Sequence, residues 1–492
     1  MRTCDAVVVG AGFGGLGAAI ALRELGYTDL LVIDREDGVG GTWHVNHYPG
    51  LAVDIASVTY SYSFAPNPYW SHVFARGPEL KKYAEHIADT YDLRRHLRLG
   101  TTVLGAEWDA EAGRWLVRLD DGETVAARFL LTATGFLSQP KKPDIPGVDD
   151  FAGTVVHTAA WDDSYDATGR RVAVIGTGAT AVQLIPQLAR TAADLTVYQR
   201  TAIWVTPKLD GRIPKVVQRL FAKVPLTQRV ARAANSAVLE LIMVVGVLNY
   251  RRAKLANKGA EVLARLHLRR QVRDRRTREA LTPDYSFGCK RPTFSNDYYP
   301  AFNRDNVHLE TTRIDHIAAD GIVTAGGRKT EVDTLVLATG FDLWDTNFPA
   351  IPITGRDGLD LGAWWRDTRF QAYAGVTVPG FPNLISLNSP YSYNGLSYFS
   401  TIESQMRHMK RLIGELQRRG ADTFEVTERA NTAFLDRMTD LLGDSVFTLG
   451  NCAPARSYYF NQHGEAALLR PTSTANGKRE AGAFPLSDYS FA

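Results

Sequence analysis

The chain has 492 residues, 45% hydrophobic and 22% charged, with 56 Lys+Arg against 53 Asp+Glu and a formal net charge of +3. That length supports a sizeable core and two or three domains. The near-balance of charge excludes global attraction to nucleic acid or to a membrane. The cysteines, Cys4, Cys289 and Cys452, form no CxxC pair and no metal-ligand spacing, which argues against a disulfide framework, a dithiol redox centre and a metal site.

Met1–Asp5 runs straight into an apolar strand at Ala6–Val9. This leaves no room for a signal peptide, so a cytoplasmic protein is expected. AVVVGAGFGGLGAAIALRELG and then TDLLVID read as strand, glycine turn, helix and second strand. In Gly10-x-Gly12-x-x-Gly15 the first glycine permits the tight turn and the second lets a pyrophosphate approach the helix N-terminus. The third lets the helix pack close on the strand. Asp34 follows at roughly the twenty-residue spacing at which a carboxylate accepts a ribose hydroxyl. A further apolar run, RFLLTATG, closes at Gly135.

RVAVIGTGATAVQLIPQLAR and LTVYQRT repeat the pattern through Gly176, Gly178 and Ala181. Pro186 predicts a kink or an early end in the second helix. The tip of the following strand carries Arg200 and Thr201 where an acid would favour a free hydroxyl; a guanidinium suits a 2′-phosphate instead. The two turns therefore divide the work, FAD at the first and NADPH at the second. Residues 210–282 look helical, and Arg251–Ala280 holds eleven Lys/Arg against three Asp/Glu. A solvated helix face is the expected reading; the other is weak contact with an anionic membrane surface, helped by the neighbouring AVLELIMVVGVL. That apolar run reads as too short to span a bilayer and contains Glu240. DTLVLATG closes at Gly340 on the same ATG turn as the earlier strand. GFPNLISLNSP brings the chain back to the first domain, and GLSYFSTIESQMRHMKRLIGEL reads as an amphipathic helix.

Three longer patterns join these turns. Phe151-x-Gly153, His157, Trp161 and Asp162 fit F-x-G-x-x-x-H-x-x-x-W-[P/D]. Gly40, Gly41, Trp43, Tyr48, Pro49, Gly50 and Asp54 fit [A/G]-G-x-W-x-x-x-x-[F/Y]-P-[G/M]-x-x-x-D. Lys290-Arg291 stands in FGCKRPTFSNDYYPAFNRDNVHL. Together they resemble the type I (class B) Baeyer–Villiger flavin-containing monooxygenase family.

The resemblance implies an α/β fold of two Rossmann-like dinucleotide-binding domains, for FAD and NADP, with a helical insertion in the NADP domain. The expected boundaries are 1–143 and 376–492 for the FAD domain, 144–207 and 286–375 for the NADP domain, and 208–285 for the insertion. The implied activity is NADPH- and O2-dependent conversion of a ketone to an ester or lactone through a flavin C4a-peroxide, the alternative being N- or S-oxygenation of amines or sulfides. A disulfide reductase shares the two-dinucleotide fold but needs the CxxC that is missing here. Arg291 and Asp54 are the implied catalytic pair, with Lys290 near the 2′-phosphate. The implied cofactor-binding set is Gly10, Gly12, Gly15, Asp34, Arg35, Gly41, Thr42, Trp43, Tyr48, Asp54, Gly176, Gly178, Ala181, Arg200, Thr201 and Lys290. His157 is assigned to a linker that couples domain rotation to NADP retention. NCAPARSYYFNQHG departs from the family's compact Cys-x-Ser-Trp-Tyr stretch, a loop that in relatives tends to face substrate, so the ketone is not carried over; the other reading of Tyr458 and Tyr459, and the commoner one, is core aromatics.

Overall fold

The computed structural model describes residues 1–492 except the side chain of Val245. Its first sheet contains β1 (Arg2–Val9), β2 (Leu30–Ile33), β3 (Leu97–Arg98), β4 (Val103–Asp109), β5 (Arg114–Leu119) and β6 (Thr124–Thr132). The order is Ile353–Thr354, β4, β5, β6, β1, β2, β3, with Leu384–Ser386 also paired to β6. β1 runs parallel to both neighbours, Val8 facing Val32 on one side and Leu131 on the other. All four residues of β2 are buried, as expected for an apolar run covered on both faces.

The second sheet is wholly parallel and contains β7 (Thr154–His157), β8 (Arg171–Ile175), β9 (Asp194–Tyr198), β10 (Val307–Glu310) and β11 (Thr334–Leu337). Its order is β10, β9, β8, β11, β7. The chain then returns to the first sheet, where Ile385 pairs with Leu131. The helix Tyr398–Arg419 follows, its apolar side buried and its end set by Gly420 in the left-handed conformation.

Both sheets build their glycine turns in the same way. The helix α1 (Phe13–Glu24) follows β1, and α2 (Ala179–Thr191) follows β8. The Gly10 amide donates to Ile33 O and the Gly176 amide to Tyr198 O. Ala133 and Ala338, which open the two ATG turns, donate to Val9 O and Ile175 O. A Cβ on Gly10 would stand 2.6 Å from Ala133 O, and one on Gly176 2.4 Å from Ala338 O; both glycines sit at positive φ. The recurrence of ATG is thus explained: each supplies the carbonyl against which the first glycine must turn. Gly15 and Ala181 are buried beneath these turns.

Two expectations are corrected here. The early end expected at Pro186 does not occur, since α2 continues past it to Thr191. Its buried residues Val182, Leu184, Ile185, Pro186, Leu188 and Ala189 pack inward, and this burial outweighs the one lost backbone bond. The insertion holds α3 (Lys215–Lys223), α4 (Pro225–Glu240), α5 (Tyr250–Gln271) and α6 (Arg275–Ala280). α4 continues directly into π-helical turns over Leu241–Leu248, forming one helix of 24 residues, long and apolar enough by length and composition to cross a membrane. The apolar run is short only when read without the helix that leads into it.

A Cβ on Gly15 would lie 1.8 Å from Gly10 O, whereas one on Gly178 meets nothing within 4 Å. Gly15→Ala is therefore expected to cost about 1–3 kcal/mol by forcing α1 off its strand, and Gly178→Ala to stay within about 0.5 kcal/mol. Thermal and denaturant unfolding of the two variants checks this contrast.

Candidate active site

A cavity of about 2970 Å³ opens at the carboxyl ends of both sheets and is lined by both glycine turns. Open parallel sheets place ligands at such strand ends. On the first side, α1 starts at Gly12 with no side chain capping its N-terminal amides, which leaves them free for an anion. A Cβ on Gly12 would approach Gly41 Cα to 3.5 Å, so the two glycine segments face one another across the cradle. Asp34 accepts from Ala11 N (2.6 Å) and Glu36 N (3.0 Å). Burial raises its pKa while those two amides partly offset the rise. Arg35 stands at the rim, paired with Glu36 and donating to Ser138 O at 2.9 Å. Thr42 lines the cavity, and Trp43 is buried with Nε1 on Tyr60 Oη at 3.1 Å.

On the second side, α2 begins at Gly178, again without a side-chain cap. Arg200, Thr201 and Lys290 line the same cavity. Burial, with the Arg200 guanidinium acting in the same sense, pushes the Lys290 amine down to about 8. The desolvated Lys290 and the exposed Arg200 put two cations on one wall of the cavity, a pairing that suits a multiply charged anion. The residues present therefore fit a dinucleotide on each side, with a 2′-phosphate on the second.

Arg291 and Asp54 lie between the two cradles. Arg291 Nε donates to Asp54 Oδ2 at 2.7 Å, and both side chains are part-buried in the cavity wall. Burial alone would raise the Asp54 pKa, but the guanidinium more than offsets it and holds the carboxyl below its ordinary range. The same pairing, acting against burial, lifts Arg291 well above the usual arginine value. This cation stays charged throughout the working pH range.

Tyr48 belongs to the segment that supplies Asp54, and it bridges the two units by donating to Gln183 Oε1 on α2 at 3.2 Å. Gln183 also accepts from Ala52 N and donates to Ala52 O. Gly15 and Ala181, by contrast, do not line the cavity; they serve the packing under each turn.

The linker residues fall outside the pairing at Arg291. Phe151 lies against Gly153, where a Cβ would meet its ring at 2.6 Å and Asp333 O at 2.5 Å. His157 ends β7; its Nδ1 accepts from Ala159 N at 3.1 Å, and Nε2 lies 3.5 Å from Thr339 of the second ATG turn. Burial lowers its pKa. Trp161 is buried edge-on to Tyr165, and Asp162 accepts from Ser164.

Two further features, a tyrosine on Arg291 and a disulfide, have no signal in the sequence patterns. Tyr393 Oη accepts from Arg291 Nη1 at 2.6 Å and donates to Leu396 O at 3.1 Å. Burial drives its phenol up to about 12 despite the opposing guanidinium. Of the two readings of this loop, Tyr458 takes the first and lines the cavity, whereas Tyr459 takes the second and is buried behind it. Cys289 and Cys452 form a disulfide, contrary to the expectation from their spacing. It ties the residue preceding Lys290-Arg291 to the loop that presents Tyr458. Folding creates this proximity across 163 residues.

The comparisons with known proteins agree with this geometry. The family model described as pyridine nucleotide-disulphide oxidoreductase matches residues 4–243. A Baeyer–Villiger monooxygenase of Streptomyces coelicolor is 37% identical over 484 residues, 98% of this chain and 91% of that protein. The chain belongs to the Baeyer–Villiger monooxygenases. A second member of this family, from Pseudomonas aeruginosa, is 37% identical over 99% of this chain and 91% of its own length. The family's solved structures include OTEMO in complex with FAD and NADP, with a TM-score of 0.88, 28% identity and 99% coverage of both chains. The architecture of two Rossmann-type domains is therefore that of the family.

The Asp54–Arg291 pairing has a pH signature. A carboxyl held below its unfolded value near ~4 contributes stability that is complete above that pH and is lost as the pH falls through the folded value. Wild type is expected to exceed Asp54→Asn in Tm at neutral pH, and the gap is expected to narrow steadily below about pH 4. Thermal melts of both proteins from neutral to acid pH measure it.

Proposed function

We propose that this chain is an NADPH- and O2-dependent monooxygenase that inserts oxygen beside the carbonyl of a ketone, giving an ester or lactone. The observation that carries the reading is the Arg291–Asp54 pair at 2.7 Å, set in the cavity between the two nucleotide cradles. Gly10, Gly12, Asp34, Arg35, Gly41, Thr42, Trp43 and Tyr48 are positioned to hold FAD, and Gly176, Gly178, Arg200, Thr201 and Lys290 to hold NADPH. Bound FAD, reduced with hydride from NADPH, supplies the activation of O2.

The protein's own part is electrostatic. As oxygen adds to the ketone carbon, the carbonyl oxygen gains negative charge, and a fixed guanidinium N–H stabilises it. One such preorganised donor is worth about 3–4 kcal/mol. Asp54 fixes the Nε edge, and Nη1 donates to Tyr393 Oη and, at 3.4 Å, to Gly395 O, which leaves the Nη2 donors for the reacting oxygen. Asp54 also keeps the buried cation from standing uncompensated.

Arg291→Ala is expected to retain FAD but to lower ester or lactone formation several hundred-fold, at about 3–4 kcal/mol, with NADPH oxidation yielding hydrogen peroxide. Product analysis against a panel of ketones, amines and thioethers tests this. Ester yield unchanged in the variant, or oxygenation confined to amines and thioethers in the wild type, overturns the reading.

The second cradle gives a separate prediction. Phosphate binding needs Lys290 protonated, so KM for NADPH is expected to rise above pH 8, by up to about tenfold per unit, while KM for NADH stays flat. Lys290→Met removes that dependence. Arg200→Ala raises KM for NADPH with little change for NADH. Steady-state kinetics with both nucleotides over pH 7–10 reads all three.

A further inference from the structure

The first part of the helix Pro225–Leu248, through Glu240, is built inside out, whereas Val247 and Leu248 at its end are buried in the core. On one side Gln228 donates to Asn67 O at 2.7 Å, Arg232 to Ser61 O at 2.9 Å, and Asn235 accepts from Thr59 Oγ1 at 2.8 Å. Their spacing of i, i+4, i+7 is one face of a helix, and it is this polar face that the body of the protein holds. The opposite face repeats Leu226, Val230, Ala233, Ala237 and Leu241 at the same periodicity. Leu226 is 66% exposed, Val230 60% and Leu241 64%, with Val238 beside them at 57%. Soluble amphipathic helices turn their apolar stripe inward. A long outward stripe marks a surface that meets something apolar.

The charges name the partner. Residues 211–239 contain six Lys/Arg and no Asp or Glu. Of these, Arg212, Lys215, Arg219, Lys223 and Arg229 are exposed around the stripe on α3, α4 and the segment before them. A second copy of this face would bring cation against cation. An anionic lipid surface complements both features, taking the apolar stripe into its acyl boundary and the cations at its headgroups. The helix does not span the bilayer in this arrangement. Its inner face is bonded to the protein at Gln228, Arg232 and Asn235, and Glu240 accepts from the Thr474 amide at 2.6 Å.

We propose that the outward face of Pro225–Leu248 is a membrane-docking surface that lies flat on anionic lipid. The test is co-sedimentation of the intact FAD-loaded protein with phosphatidylcholine vesicles, and with vesicles of phosphatidylcholine and phosphatidylglycerol in equal amounts. The expected result is at least tenfold greater binding to the anionic vesicles, falling as salt rises from ~0.05 to ~0.5 M. The exposed-face variant L226Q/V230Q/L241Q is expected to lose about tenfold of that binding while keeping its FAD spectrum and rate of NADPH oxidation. Equal pelleting with and without vesicles overturns the proposal, as does undiminished binding of the variant. A wild-type dimer that the variant converts to monomer, with no vesicle binding by either, also overturns it and gives the face to a second copy.

Discussion

The site depends on one ion pair made across 237 residues, the Arg291 guanidinium on the Asp54 carboxylate. Neither group is tolerable alone in the cavity wall, because a desolvated charge without its partner costs several kcal/mol. Together they form a fixed cation with one edge committed and another free. The surrounding architecture serves that arrangement. The Tyr48–Pro49–Gly50 segment brings Asp54 from the first unit, and the segment after Cys289 brings Arg291 from the second. Tyr393, from the chain's return to the first sheet, closes the group from a third direction.

The two nucleotide cradles are local constructions. Each needs only a strand, a turn and a helix in sequence, plus one carbonyl from an ATG turn. Such short-range geometry leaves a mark in spacing, which is why Gly10, Gly12, Asp34, Gly176, Gly178 and Arg200 can be picked out by inspection and are found around one cavity. Lys290, Arg291 and Asp54 were legible only as members of longer family patterns, since nothing in a Lys-Arg dipeptide by itself points to a buried site.

What stayed hidden is long-range. Tyr393 meets Arg291 across 102 residues, and Gln183 reaches Ala52 across 131. Cys289 meets Cys452 across 163 residues. Pro186 misleads for the opposite reason: a strong local rule yields to the packing of a helix already buried on its sheet. The orientation of Pro225–Leu248 is a third case. Periodicity shows that one face is apolar and the other polar, but which face meets the protein is decided by the carbonyls of Ser61 and Asn67, distant in sequence.

Gly50 shows how closely the two units meet. A Cβ there would come within 2.7 Å of Gln183 O, a backbone atom of α2. Main chain rests on main chain at that point, and beside it the Gln183 side chain, bonded to Tyr48 and to both backbone polar atoms of Ala52, locks the junction. Any residue larger than glycine at position 50 would prise the two nucleotide units apart close to where Asp54 reaches across to Arg291.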